Sequence, residues 1–119
     1  NDLPCALEFI DHGSLNLIRQ QLSLNIDAEV HAMLIIETDG LLHAVNASVK
    51  AISRAANNAG CIDLQKATDE HQKQELWSAR KALSPALRSF APNKINEDVV
   101  VPVSQLLNLL QKLLLMVKI

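Results

Sequence analysis

Hydrophobic and polar positions follow two different periods along the chain, and the change of period predicts eight secondary-structure elements. Short apolar runs rich in strand-forming residues predict strands over 5–11, 31–38, 61–67 and 98–101. Apolar residues at helical spacing predict helices over 14–22 and 41–59, a third from Thr68 onward and a last one after Ser104. The predicted order is therefore β-α-β-α-β-α-β-α.

Polar residues and prolines mark the predicted ends of these elements. Ser14 and Ser104 are placed to cap the first and last helices, and Gly60 to end the second. Because proline has no N–H, the third helix is predicted to kink or restart at Pro85, with Ser84 as its new N-cap.

The alternation of strands and helices is typical of parallel α/β proteins. Yet the chain has only three glycines, none of them in a phosphate-binding pattern. A single α+β domain over residues 1–119, a ferredoxin-like two-layer fold whose mixed or antiparallel sheet is covered by helices, fits this length at least as well. Its core is predicted to contain Leu7, Phe9, Leu34, Ile36, Val45, Val49, Ile62, Leu64, Val99 and Val101.

Composition narrows the possible partners. A net charge of -2 and an aromatic content of 3% argue against a nucleic-acid partner, and no apolar stretch is long enough to span a bilayer. Cys5 and Cys61 lie in apolar runs, which favours buried thiols of a reduced, cytoplasmic protein. Because the chain starts at Asn1 without a methionine, we expect it to be a piece of a longer protein.

The pattern alone assembles no catalytic site. The four histidines lack metal-ligand spacing, so no metal site and no catalytic residue is predicted, and cofactor-binding residues stay unassigned. Glu37 and Asp39 flank the end of a strand, where a solvated turn is favoured over an acidic pair that acts on a ligand.

Arg80 and Ser84 stand four residues apart on one helical face, with Trp77 one turn earlier. A guanidinium can bind a carboxylate through two hydrogen bonds, and a hydroxyl one turn away could add a third. The structural alternative is that Arg80 pairs with an acid such as Asp98 while Ser84 only caps the helix. The residues themselves favour this second interpretation.

The stretch LWSARKALSPALRSF, followed by INEDVVVPVSQL, resembles a W-x-x-R…(D/E)-x-x-V-P signature. This signature belongs to the C-terminal substrate (cap) domain of FAD-linked oxidases of the vanillyl-alcohol-oxidase type, such as D-lactate, glycolate and D-2-hydroxyglutarate dehydrogenases. The earlier segments ALEFIDHGSLNLI and LIIETDG occupy the corresponding places, so the resemblance runs in order across nearly the whole chain. The family's FAD-binding half and its downstream HxGDGN-type segment have no counterpart here.

The resemblance implies that Arg80 binds the carboxylate of a 2-hydroxy acid and that Ser84 contributes a hydroxyl. Some D-2-hydroxyglutarate enzymes use a lysine two residues before the strand aspartate. Asn96 stands at that position here, with Lys94 two residues earlier, and this departure counts against a dicarboxylate substrate. Substrate-binding residues are thus predicted to be Arg80, Ser84, Asn96 and Lys94.

Two hypotheses follow from the sequence. In the first, the chain is the substrate-side part of an FAD-dependent 2-hydroxy acid dehydrogenase or oxidase, inactive alone, with FAD bound mainly by another domain of the same parent chain. Its location would be cytoplasmic, at most peripheral to the inner membrane through an electron acceptor. In the second, the chain is a stand-alone ferredoxin-like module for ligand sensing or dimerisation, without catalysis.

The last helix carries more leucines than one sheet face requires. We predict that they lie in the interface of a homodimer formed by the isolated chain. The residues concerned are Leu106, Leu107, Leu109, Leu110, Leu113, Leu114 and Val117.

Overall fold

The computed structural model describes residues 4–21, 26–91, 93 and 98–116, except the side chains of Gln21, Leu114 and Met116. This part of the chain forms a two-stranded antiparallel sheet and four α-helices, so the predicted α+β class with helices packed on a sheet is confirmed. In chain order the elements are β1 (Ala6–Ile10), α1 (His12–Gln21), β2 (Met33–Glu37), α2 (Leu42–Ala56), α3 (Glu70–Phe90), a short 3-10 turn (Val103–Gln105) and α4 (Leu106–Met116).

The register of the sheet decides which residues share a face. Leu7 lies opposite Ile36 and Phe9 opposite Leu34, whereas Glu8 lies opposite Ile35 and Ile10 opposite Met33. Directly opposed residues point to the same side of an antiparallel pair. One face therefore carries Leu7, Phe9, Leu34 and Ile36, and we call it the open face. The other face carries Ala6, Glu8, Ile10, Met33, Ile35 and Glu37, and we call it the packed face.

The core lies between the packed face, α1 and α3. Leu15 and Ile18 of α1 are completely buried, and they meet Ile10 and Ile35 of the sheet and Ala79 of α3. Leu15 and Ile18 are three residues apart and so lie on one side of α1. An alanine at position 79 allows α3 to approach this cluster closely.

The predicted core was wrong, because it took its strand residues from the face of the sheet that the helices do not cover. Leu7, Phe9 and Leu34 lie on the open face and are 56%, 51% and 55% exposed. Ile62, Leu64 and Val99 are also exposed, and Ile36, Val45, Val49 and Val101 are only partly buried. Both faces of β1 and β2 carry apolar side chains, so alternation alone does not identify the face that the helices cover.

Four of the predicted helix boundaries need correction, and the first is the end of α2, which lies at Ala56 rather than beside Gly60. The α1 helix begins about one turn earlier than predicted. Asp11 caps it in place of Ser14, because the Asp11 carboxylate accepts the backbone N–H of Ser14 at 2.8 Å. The α3 helix runs through Pro85 without restarting, so Ser84 is not an N-cap. A 3-10 turn that follows Pro102 precedes α4, and Ser104 lies inside that turn rather than capping the helix.

Two predicted boundaries, the start of α3 just after Thr68 and the end of β2 near residue 38, are confirmed. Asp69 caps α3, because its side chain accepts the backbone N–H of Gln72 at 2.8 Å. Gly40 ends the turn after β2 with a φ of 110°, a left-handed conformation that glycine adopts without the steric cost of a Cβ.

The segments 61–67 and 98–101 do not form strands. Each has strand-forming residues, but a strand also needs a partner for its backbone groups, and among the described residues β1 and β2 pair only with each other. The expectation of buried thiols is also wrong, since Cys5 is exposed and Cys61 is partly exposed, although both are free cysteines. Among the described residues, no helix has the length and apolar character needed to cross a bilayer.

Candidate functional site

The candidate functional side chains of α3 lie on the side of the helix that faces the packed face of the sheet. Lys73, Trp77, Arg80 and Ser84 recur at intervals of three and four residues, so they form a single stripe along the helix. We call this set the α3 stripe. Its first members reach the end of β2, and Arg80 reaches β1.

Glu37, the last residue of β2, fixes the first half of the α3 stripe. Its Oε1 lies 2.7 Å from the Nζ of Lys73, and its Oε2 accepts a hydrogen bond of 3.1 Å from the indole Nε1 of Trp77. Its backbone carbonyl accepts the N–H of Cys5. Glu37 is thus neither a solvated turn residue nor part of an acidic pair with Asp39. It holds α3 against the sheet.

The contact between Glu37 and Lys73 shifts both of their pKa values. The hydrogen bond from Lys73, with its positive charge, holds the pKa of Glu37 below its usual value, against a smaller opposing effect of burial. The same hydrogen bond and the negative charge of Glu37 raise the pKa of Lys73 above its usual value. Each group therefore favours the charged form of the other.

The Glu37–Lys73 pair should make stability depend on pH in a defined direction. Because the pKa of Glu37 is lower in the folded state, its contribution is present above the unfolded-state pKa and is lost as pH falls through the folded-state value. The raised pKa of Lys73 gives a contribution that is complete below its unfolded-state pKa and lost as pH rises through the folded-state value. We expect Glu37→Gln to lower the free energy of unfolding at neutral pH.

This difference between Glu37→Gln and the unmodified chain should shrink toward about pH 3 to 4, where carboxylates become protonated. Chemical denaturation at a series of pH values measures it. Glu75→Gln is the matched control, since Glu75 is exposed on α3 and, among the described residues, its carboxylate pairs only with His71, at 3.7 Å. A deficit of Glu37→Gln that stayed constant through the acid range would argue against the ion pair as its cause.

Arg80 is held from the neighbouring strand. Its Nε lies 3.4 Å from Oε2 of Glu8, and the two side chains are 48% and 39% exposed. The arginine is therefore partnered at the surface and not buried in a structural ion pair, and its partner is Glu8 of β1 rather than Asp98. Among the described residues, none accepts a hydrogen bond from the two terminal nitrogens of Arg80.

The other predicted substrate-binding residues are only partly located. Ser84 lies one turn beyond Arg80 on the α3 stripe and is half-buried. Lys94 and Asn96 lie outside the described residues. A shallow depression between the last turn of α2 and residues 61–64 does not include Arg80.

Glu8 and Lys73 were not among the site residues predicted from the sequence, and the predicted environment of Glu37 was wrong. Glu8 and Glu37 share a phase with the buried Ile10 and Ile35, on the packed face. An acidic residue in that phase, combined with basic residues at positions 73 and 80 of one helical stripe, is the signal that could have paired them.

The described part of the chain contains no cluster of potential metal ligands. The rings of His12 and His31 approach to 4.8 Å in an edge-to-face arrangement, but no group of three potential ligands is present among the described residues.

Comparison with known proteins identifies the family of the chain. Residues 2–115 match the family described as FAD linked oxidases, C-terminal domain. The chain is 28% identical over 109 residues to the glycolate oxidase subunit GlcD of Bacillus subtilis, covering 92% of this chain and 23% of that protein. It is 25% identical over 100 residues to the GlcD subunit of Escherichia coli K12, covering 84% of this chain and 20% of that protein.

The chain thus spans about a fifth of the length of these curated relatives. No solved structure matches it at a significant level. Because the family match extends over almost the entire sequence, the chain belongs to the C-terminal domains of FAD-linked oxidases.

Proposed function

We propose that this chain forms the substrate-side part of a longer FAD-dependent oxidoreductase that oxidises a 2-hydroxy acid, and that Arg80 binds the substrate carboxylate. The observation that carries the proposal is the state of Arg80, whose half-exposed side chain extends from a fixed helix and whose terminal nitrogens donate no hydrogen bond to a described residue. The relatives named glycolate oxidase subunits support a small 2-hydroxy acid as the substrate class.

Membership of the family implies FAD, and this domain is not the main binder of that cofactor. Binding the pyrophosphate of FAD requires a cluster of backbone N–H groups, which proteins usually build from a glycine-rich loop at a helix N-terminus. The three glycines of this chain, Gly13, Gly40 and Gly60, are far apart, and only Gly40 has a positive φ. The residues present therefore fit a domain that lines the substrate side of a flavin bound elsewhere.

FAD, when bound by the rest of the protein, would supply the hydride-accepting chemistry, and this chain's own residues would bind and orient the hydroxy acid. The carboxylate would lie across the guanidinium of Arg80, which is permanently charged and planar. The hydroxyl of Ser84, one turn further along the α3 stripe, is suitably spaced to add a hydrogen bond. Lys94 and Asn96 remain proposed contributors from the segment that follows α3.

Replacing Arg80 by lysine in the full-length protein tests the proposal. We expect Arg80→Lys to lower kcat/KM for glycolate or D-lactate by about 1–3 kcal/mol of transition-state stabilisation, because an ammonium group cannot reproduce the two parallel hydrogen bonds of a guanidinium. The measurement is steady-state oxidation of each acid with an artificial electron acceptor, alongside the FAD content of every preparation.

Arg88→Lys is the matched control, since Arg88 is exposed in the last turn of α3. Its kinetics should stay close to those of the unmodified enzyme. Ser84→Ala should give a smaller loss of kcat/KM than Arg80→Lys. Unchanged kinetics in Arg80→Lys would rule out the carboxylate-binding role, whatever the other variants show.

A further inference from the structure

We infer that Glu8 is a positioning residue for Arg80: it holds Nε from the side, so that the two terminal nitrogens form the edge that receives the substrate carboxylate. The inference rests on the proposed function, because it specifies how Arg80 is prepared for a ligand. It adds a residue on β1 and a defined edge of the guanidinium to that site.

The atom that Glu8 contacts is what distinguishes the two edges. A guanidinium has one edge formed by Nε and one terminal nitrogen, and a second edge formed by both terminal nitrogens. The Oε2 of Glu8 lies 3.4 Å from Nε, and no described residue accepts a hydrogen bond from the terminal pair. A carboxylate ligand can therefore bind the terminal edge through two hydrogen bonds while the contact with Glu8 persists.

Both ends of this contact are attached to fixed parts of the fold. Glu8 is the central residue of β1 and lies opposite Ile35, whose side chain is buried. The helix that carries Arg80 is held one turn earlier by the hydrogen bond from Trp77 to Glu37. The backbone on each side of the contact is thus fixed, and the contact with Glu8 restricts the rotamers of the arginine side chain.

A purely structural role fits the contact less well. Both side chains are substantially exposed, and a single ion pair of this kind contributes little to folding because water and salt screen it. The connection between α3 and the sheet is already made by Lys73, Trp77 and Glu37. The main effect of the Glu8 contact is on the direction of the guanidinium.

Kinetics of three Glu8 variants in the full-length protein test the inference. With glycolate and D-lactate as probes, we expect Glu8→Ala to raise KM about fivefold with kcat unchanged, the loss that one modest hydrogen bond predicts. Glu8→Gln keeps an acceptor oxygen for Nε and should restore KM to the original value. In an Arg80→Lys background, where no Nε exists, Glu8→Ala should have no further effect.

The controls separate this inference from the proposed function. Glu75→Ala removes an exposed carboxylate from the other side of α3 and should leave both kinetic constants unchanged. If Arg80→Lys impairs the enzyme but Glu8→Ala leaves KM unchanged or lowers it, the inference about Glu8 fails and the carboxylate role of Arg80 stands. If Arg80→Lys has no effect, the proposed function fails first. Equal damage by Glu8→Ala in both backgrounds would also overturn the positioning role.

Discussion

Leu15→Ala should destabilise the chain by about 2–5 kcal/mol, the range measured for leucine-to-alanine changes at fully buried positions. Leu15 has no exposed surface, and it lies where α1 meets both the packed face and α3. Among the described residues, the buried apolar side chains are Ile10, Leu15, Ile18, Ile35, Ala79 and Ala86. Leu15 and Ile18 are the largest of the described side chains that are completely buried, so truncating Leu15 leaves a cavity inside the core.

Urea denaturation followed by circular dichroism measures this loss as a lower midpoint with an unchanged slope. Leu42→Ala is the matched control, because Leu42 is 77% exposed in the first turn of α2 and should change stability by less than about 0.5 kcal/mol. Equal effects of the two substitutions would show that the core does not lie between α1, α3 and the sheet.

The position of this core shows which features of the fold can be predicted from the sequence alone. Local signals identified β1, β2 and all four helices, because each depends on neighbouring residues: strand-forming runs, helical spacing and caps such as Asp69. The choice between the two faces of the sheet is not local. Leu7 and Phe9 look like core residues and Glu8 like a surface residue, yet the helices cover the side that carries Glu8.

The two missing strands have a related cause. Residues 61–67 and 98–101 contain apolar and β-branched side chains, and strand preference measures how well such side chains fit a pleated surface. A strand forms only when another strand takes up its backbone groups, and this requirement depends on tertiary structure. Local composition therefore predicted four strands where the described residues form two.

The candidate site shows the same division. Spacing within α3 placed Trp77, Arg80 and Ser84 on one face of the helix, and the structure adds Lys73 to the same stripe. The partner of Arg80 could not be obtained this way, because Glu8 is 72 residues away in the sequence. Asp98 was the more obvious acid, but Glu8 is the one that the packed face of the sheet presents to α3.

Self-association of the isolated 119-residue chain is the second large effect that we expect. Among the described side chains of α4, Leu106, Leu107, Leu113 and Leu115 are 46%, 66%, 43% and 70% exposed. The α4 helix thus presents apolar surface to water, and such surface favours association. We predict a two-fold dimer with α4 in its interface, the commonest symmetry of soluble homo-oligomers.

Sedimentation velocity at micromolar concentration should give a mass of twice the 13.1 kDa of one chain. Leu107→Glu should return the chain to a monomer, because a dimer interface would bury the new charge without a partner. Leu42→Glu, which introduces the same charge at an exposed leucine of α2, should leave the dimer intact.

The open face of the sheet offers a competing interface, since Leu7, Phe9 and Leu34 are also exposed there. Leu34→Glu distinguishes the two surfaces. If it dissociates the dimer while Leu107→Glu does not, the chains associate through their sheets and the prediction for α4 is wrong. A single 13.1 kDa species at every concentration would exclude both interfaces, and the exposed leucines of α4 would then be surface that the isolated chain leaves in water.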